Sequence, residues 1–255
     1  MTTNLWNDCV GQNHIVELQE TAWRMIEAQH ILATRKLVDS ANEQEILEEM
    51  IESAKPQTFG KEFTGLHVLL YTPFRYPPLR YGSRFGTRTE RSLWYGSLDF
   101  STVLAEKAFY QFLFLRASLA QFGNVLRTFT AFSVQIKTFQ GVNLHQEPFT
   151  AHANVISSPT HYTTSQSLGT AMRQHKVEAF CYKSARDPGK GTNVALFAPN
   201  AFLHKKPQPG SFQTWQSLSN EMSVEFIRTS ALANEYKIFS LEAFLVDGNL
   251  LTPVN

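Results

Sequence analysis

Apolar residues at Ile15, Leu18, Ala22, Met25, Ile26 and Leu32 recur close to the helical period. The stretch 12–54 therefore reads as helix. Its second part, residues 41–54, carries Glu43, Glu45, Glu48, Glu49 and Glu52 on one side and Ile46, Leu47, Met50 and Ile51 on the other. Ser40 or Asn42 is placed to cap it and Pro56 to end it. The two parts are expected to form a helical hairpin. Its acidic side is either a solvated face or an appendage packed on the main domain or on a partner.

The pattern changes after Pro56. Residues 67–74 (HVLLYTPF) read as a strand broken by Tyr76-Pro77-Pro78, and residues 92–95 as a second short strand. Residues 101–116 read as a helix that starts near Asp99 or Ser101. Residues 125–138 alternate apolar and polar, which predicts a strand, while 145–158 fit neither period. A short helix at 165–174 precedes strands at 179–184 and 193–198, which flank a loop at 186–192. Strands at 223–230 and 235–240 close the pattern, followed by strand or coil. No internal repeat or low-complexity tract interrupts it. The order implies an α+β protein: antiparallel sheets with flanking helices over residues 61–255, preceded by an N-terminal helical extension over 1–60.

Composition narrows the function. With 255 residues, 43% of them hydrophobic and 18% charged, the chain buries a sizeable core and is not disordered. Twenty-three basic against 22 acidic residues argue against direct nucleic-acid binding. Cys9 and Cys181 give neither a metal-ligand spacing nor a disulfide framework. No signal-peptide pattern opens the chain and no apolar run is long enough to cross a bilayer, so a cytoplasmic protein without a membrane partner is expected.

Three segments carry candidate chemistry. The loop GSRFGTRTERSLWYG holds Arg84, Arg88 and Arg91 among glycines. Arginine forks suit phosphate or carboxylate, and Gly82 and Gly86 let backbone approach a ligand. The loop has neither the Walker nor the dinucleotide glycine pattern, and a solvated turn is the alternative. Next, Glu106 lies in the apolar run LAEKAFYQ, one turn from Thr102 and from Tyr110. A carboxylate there either steadies a sugar hydroxyl and a developing cation, or pairs at the helix edge with Lys107 or an arginine. Finally, CYKSARDPGKGTNVALFAP puts Ser184 at a strand end before the turn at Arg186-Asp187-Pro188-Gly189, as a ligand contact or a turn cap. No GxSxG surrounds it. His145, His152 and His161 lack ligand spacing, so no metal is expected. Asp99 and Glu106 are weak as a glycosidase carboxylate pair.

Taken in order, GSRFG, LWYGS, TVLAE and YKSARDPGKGTNVALF resemble the RES domain family. Tyr95 stands midway between Arg84 and Glu106, with Ser184 far downstream. The resemblance implies an ADP-ribosyltransferase-like fold and an NAD-consuming toxin of a bacterial toxin–antitoxin pair. It also implies roles. Glu106 would contact the ribose and its developing cation, Arg84 the dinucleotide near the diphosphate or reacting ribose, Tyr95 the nicotinamide, and Ser184 the ribose or carboxamide. Arg75 and Arg186 would add binding contacts. NAD is then the substrate. Inorganic phosphate or water as acceptor makes an NAD phosphorylase or glycohydrolase; the alternatives are a protein ADP-ribosyltransferase or a catalytically silent nucleotide- or partner-binding protein. An antitoxin and a homodimer are the partners implied. The chain departs from the family pattern in having SRFG, with Phe85 as the aromatic, where the family has a tryptophan in a GRWN-like segment. Trp94 beside Tyr95 leaves open which ring faces the ligand, and the extension is longer than in compact RES toxins.

Overall fold

The computed structural model describes residues 4–28, 37–54, 60–120, 122–203, 207–229 and 234–253. Leu32, Pro56 and Ser230 lie outside the described residues.

Residues expected to open a helical hairpin instead form a strand, β1 (Ile15–Glu27). It pairs antiparallel with β3 (Val125–Asn143), from Ile15 opposite Val142 to Glu27 opposite Phe129. The helical spacing has a physical origin in two covered faces. Leu18 and Ala22 enter one core with Phe132, Val134 and Ile136, whereas Met25 enters another with Phe109 and Trp215. The face that is buried changes along the strand, so its apolar residues never settle into simple alternation. Residues 15–27 thus belong to the main sheet, and among the described residues the α-helices of the N-terminal region are the four-residue α1 (Leu5–Asp8) and the acidic α2 (Ala41–Ala54). Ile46 and Met50 of α2 are exposed.

A second correction concerns residues 67–74. They form a helix, α3 (Val68–Arg75), capped by the His67 side chain, which accepts from Leu69 N at 3.2 Å. Leu70 and Phe74, four residues apart, enter the same core as Leu18. The other elements fall close to their expected places. They are β2 (Trp94–Ser97), α4 (Phe100–Ala117), α6 (Thr163–Gln174), β4 (Ala179–Lys183), β5 (Thr192–Leu196), β7 (Ser223–Thr229) and β8 (Asn234–Ser240), while the four-residue α5 (Ala153–Ile156) falls in the stretch that fits neither period. β6 (Gly210–Ser219) is an addition; its buried positions are Trp215, Ser217 and Ser219, so polarity conceals its alternation. A two-stranded ribbon, β9 (Leu245–Val246) and β10 (Asn249–Leu250), follows.

The large sheet runs β1-β2-β5-β4-β3-β6-β7-β8, and β1 also pairs with β3. Strands 1, 2, 5, 4 and 3 therefore close on themselves, and β6 to β8 continue outward from β3. Pairing is antiparallel except between β3 and β4, which run parallel from Gly141 opposite Ala179 to Asn143 opposite Cys181. The closure is thinnest between β1 and β2, where Trp23 opposite Ser97 is the pair that joins them. Helix α4 packs Val103, Leu104, Ala108, Phe109 and Phe112 into the core shared with Trp215, Val224 and Phe226. It thereby brings the face bearing Glu106 to the thin seam.

Candidate active site

Glu106 is held by partners from two other elements. Its Oε1 accepts from Ser184 Oγ at 2.7 Å and from Asn193 Nδ2 at 2.6 Å. Asn193, on β5, accepts in turn from Ser97 Oγ at 2.7 Å. Ser184 Oγ accepts from Arg186 N at 3.2 Å and Asp187 N at 3.0 Å. With those two acceptances made, its single hydrogen is directed at Glu106. Among the described residues Oε2 of Glu106 has no hydrogen-bond partner. Neither Lys107 nor an arginine pairs with the carboxylate.

The loop after β4 is pinned to α4 one turn before Glu106. Asp187 Oδ2 accepts from Thr102 Oγ1 at 2.9 Å and from Gly191 N at 3.1 Å, and Oδ1 accepts from Gly189 N at 2.8 Å. Gly191 permits that approach, since a Cβ there would lie 2.0 Å from Thr102 Oγ1. The sequence spacing of Ser184 and Gly191 is thus that of a closed loop, tied by Ser184 N to Gly191 O at 2.8 Å.

Glu106 and Asn193 border a cleft of about 900 Å³ at the thin seam of the sheet, lined also by Arg24, Arg84, Tyr95, Lys107 and Tyr162 among others, whereas Ser184 and Asp187 line a second pocket rather than this one. Tyr95 and Trp94 part company here. Trp94 is fully buried against Phe202, while Tyr95 lines the cleft and shares a 3.0 Å hydrogen bond with Ser83 Oγ. Burial raises the Tyr95 hydroxyl above the usual tyrosine range and raises Tyr182, beside it, further still. Both phenols stay protonated at neutral pH. Phe85, the aromatic of the SRFG segment, is buried edge-on against Phe180 and Tyr182 at 4.6 and 4.8 Å. Gly169 of α6 admits this loop: a Cβ there would stand 2.1 Å from the Phe85 carbonyl oxygen.

The arginines divide by what they hold. Arg84 lines the cleft, donates to Ser158 O at 2.6 Å and stacks on Tyr162 at 4.6 Å. Arg186 borders the cleft too, but its fork is committed to protein. It donates to Leu251 O at 2.7 Å, Pro159 O at 2.8 Å and Tyr162 Oη at 3.3 Å, and lies over Phe109 at 4.3 Å. Arg75 sits in the last turn of α3 and is not a lining residue. Arg91 pairs with Glu62 at 3.2 Å on the surface.

Sequence reasoning missed Asn193, Arg24 and Lys107. Asn193 had a visible signal, a polar residue directly before the apolar run 194–196. Arg24 and Lys107 had none, because Arg24 lay in a segment read as helix and Lys107 was read as a pairing partner of Glu106 at the helix edge. Among the described residues no three His, Cys, Asp or Glu side chains gather to bind a metal, and no helix is long and apolar enough to cross a membrane.

A protein-family model for the RES domain matches residues 59–216, well over half of the chain. The chain belongs to the RES domain family, whose members act on NAD. Among solved structures, it is similar to one described as the M. tuberculosis MbcT–MbcA toxin–antitoxin complex. The match has 9% identity, covers 82% of this chain and 91% of that one, and has a TM-score of 0.46. A comparison with curated proteins finds no match in sequence. The matched segment begins after β1 and α2, so Arg24 reaches the cleft from outside it.

Proposed function

We propose that this chain cleaves the nicotinamide–ribose bond of NAD at Glu106, as the toxin of a toxin–antitoxin pair. The observation that carries the reading is the posture of the Glu106 carboxylate. One oxygen is fixed by Ser184 and Asn193, and the other is left for a ligand in the cleft.

In NAD the C1′–N bond breaks as the bonding pair departs with nicotinamide, which leaves neutral and needs no proton. Positive charge then develops on C1′ and the ribose ring oxygen. A fixed carboxylate interacts with that charge more strongly in the transition state than in the ground state, which is the condition for catalysis. Its free oxygen suits a ribose hydroxyl. Arg84 has donors remaining for the diphosphate, and Tyr95 with Tyr182 offers an aromatic wall and neutral hydroxyl donors for the nicotinamide end. Ser184 acts by holding Glu106. An acceptor oxygen completes the reaction by bonding to C1′: water gives ADP-ribose, and inorganic phosphate gives its 1-phosphate ester. An antitoxin that covers the cleft and self-association as a homodimer accompany this reading, as does a cytoplasmic location.

The test is nicotinamide release from NAD by purified, antitoxin-free protein, with and without phosphate. Release that requires the Glu106 carboxylate supports the reading. NAD left intact at high protein concentration refutes it. Labelled ADP-ribose appearing on a macromolecule, with little free product, favours protein ADP-ribosylation at the same site.

A further inference from the structure

Lys107 follows Glu106 on α4 and lines the same cleft, as does Arg24 on β1. Among the described residues neither cation makes an ion pair. Arg24 donates one N–H to Tyr95 O at 2.6 Å and lies 5.5 Å from the Trp94 ring centre. That hydrogen bond satisfies a β2 carbonyl where the ladder to β1 is thin, and it leaves the rest of the guanidinium fork unused. The Lys107 ammonium sits 5.9 Å from the Phe129 ring centre, a contact that does not neutralise it.

Two half-buried cations near one another, neither held in an ion pair, repel and favour an anion between them. The other charged groups facing Lys107 are Glu27 of β1, Glu106 and Arg127 of β3. Glu106 is tied by Oε1 to Ser184 and Asn193, and Arg127 stacks on Phe114 at 4.6 Å. Burial first, and Arg24 second, lower Lys107 to about 8, against the opposing pull of Glu27 and Glu106.

We propose that Arg24 and Lys107 form a subsite for a phosphate-class oxyanion beside Glu106, on the β1 side of the cleft. A guanidinium fork and a compact ammonium are the pair that grips a tetrahedral phosphate, one by paired hydrogen bonds and the other as a point charge. The phosphate has two sources, the free ion acting as acceptor or the diphosphate of the dinucleotide. That choice rests on the NAD reading, whereas the subsite itself does not.

The experiment uses the full chain carrying Glu106→Gln, titrated calorimetrically with inorganic phosphate and separately with ADP-ribose. Lys107→Met, Lys107→Arg and Arg24→Gln are then added one at a time, with folding checked by circular dichroism. Lys107→Met and Arg24→Gln are expected to weaken one of the two ligands by about 10-fold or more, and Lys107→Arg to restore most of it. Loss confined to phosphate, together with a weaker phosphate dependence of nicotinamide release by the Lys107→Met single variant, assigns the acceptor. Loss confined to ADP-ribose assigns the diphosphate. Folded Lys107→Met and Arg24→Gln proteins that bind both ligands as tightly as their parent overturn the subsite. If the unmutated chain releases no nicotinamide while Lys107→Met still weakens phosphate, the subsite stands and the NAD reading falls.

Discussion

Ser184 Oγ stands 2.7 Å from Glu106 Oε1 although 78 positions of chain separate the two residues. The serine accepts two backbone N–H groups and donates to the carboxylate, so it is an orienting group rather than a nucleophile.

Replacing Glu106 with Gln keeps the shape and removes the charge. Nicotinamide release is expected to fall about 100- to 1,000-fold, the cost of losing one preorganised group that stabilises transition-state charge. Thermal melting should stay close to the parent. A variant that keeps more than a tenth of the parent rate would show that another group carries the charge.

Ser184→Ala strips a buried acceptor from the amides of Arg186 and Asp187. The expected cost is ~1–3 kcal/mol in denaturant unfolding. It should also lower kcat for NAD more than it raises KM, because the carboxylate loses its orientation. Asn193→Ala should show the same kinetic split. A pure KM effect in both variants would point to direct substrate contact instead.

Arg186→Ala leaves the carbonyls of Leu251 and Pro159 without this donor and removes the cover over Phe109. Unfolding free energy should drop by ~2–4 kcal/mol. Lysine should not rescue it, since one ammonium does not reproduce the planar fork. A stability unchanged by either substitution would return Arg186 to the list of ligand contacts.

Lys107 makes the molecule's stability depend on alkaline pH. Its folded-state value is lowered from 10.5 to about 8, chiefly by burial. Between those values the unfolded chain binds the proton and the folded chain does not, so this group makes stability rise with pH across that window. Below about 8 the penalty is constant. Lys107→Met should therefore be the more stable protein at pH 7, by ~1–3 kcal/mol after allowance for partial solvation, with the gap closing towards pH 10.5. Equal Tm values at pH 7 and pH 10 for the pair would rule this out.

Arg84→Lys keeps the charge but gives up the flat stack on Tyr162. KM for NAD should rise about 10-fold or more with a smaller change in kcat. Unchanged KM in that variant and in Arg84→Ala would separate Arg84 from the dinucleotide.

Much of this was legible in the chain. Helix α4 announced itself through its apolar run, and the paired strands β4 and β5 through the turn between them. The three segments around Arg84, Glu106 and Ser184 do converge on one place. The failures have local causes. β1 buries residues on both faces, which imitates a helical period, and α3 is built from residues that favour strands but is held by Leu70, Phe74 and the His67 cap. Asn193 could be noticed as a polar residue before an apolar run, but its partner 87 positions away leaves no trace in spacing. Arg186 was read for its charge, whereas its surroundings are backbone carbonyls.

The distance along the chain between Glu106 and its partners has a consequence for synthesis. A ribosome delivers Glu106 long before Ser184 and Asn193, which follow 78 and 87 positions later. Until then the carboxylate has no clamp and β2 has no β5 to pair with. Domains fold as units once enough chain has emerged. A nascent chain that stops short of β5 therefore lacks both partners of the Glu106 carboxylate, and the clamp is completed only late in synthesis.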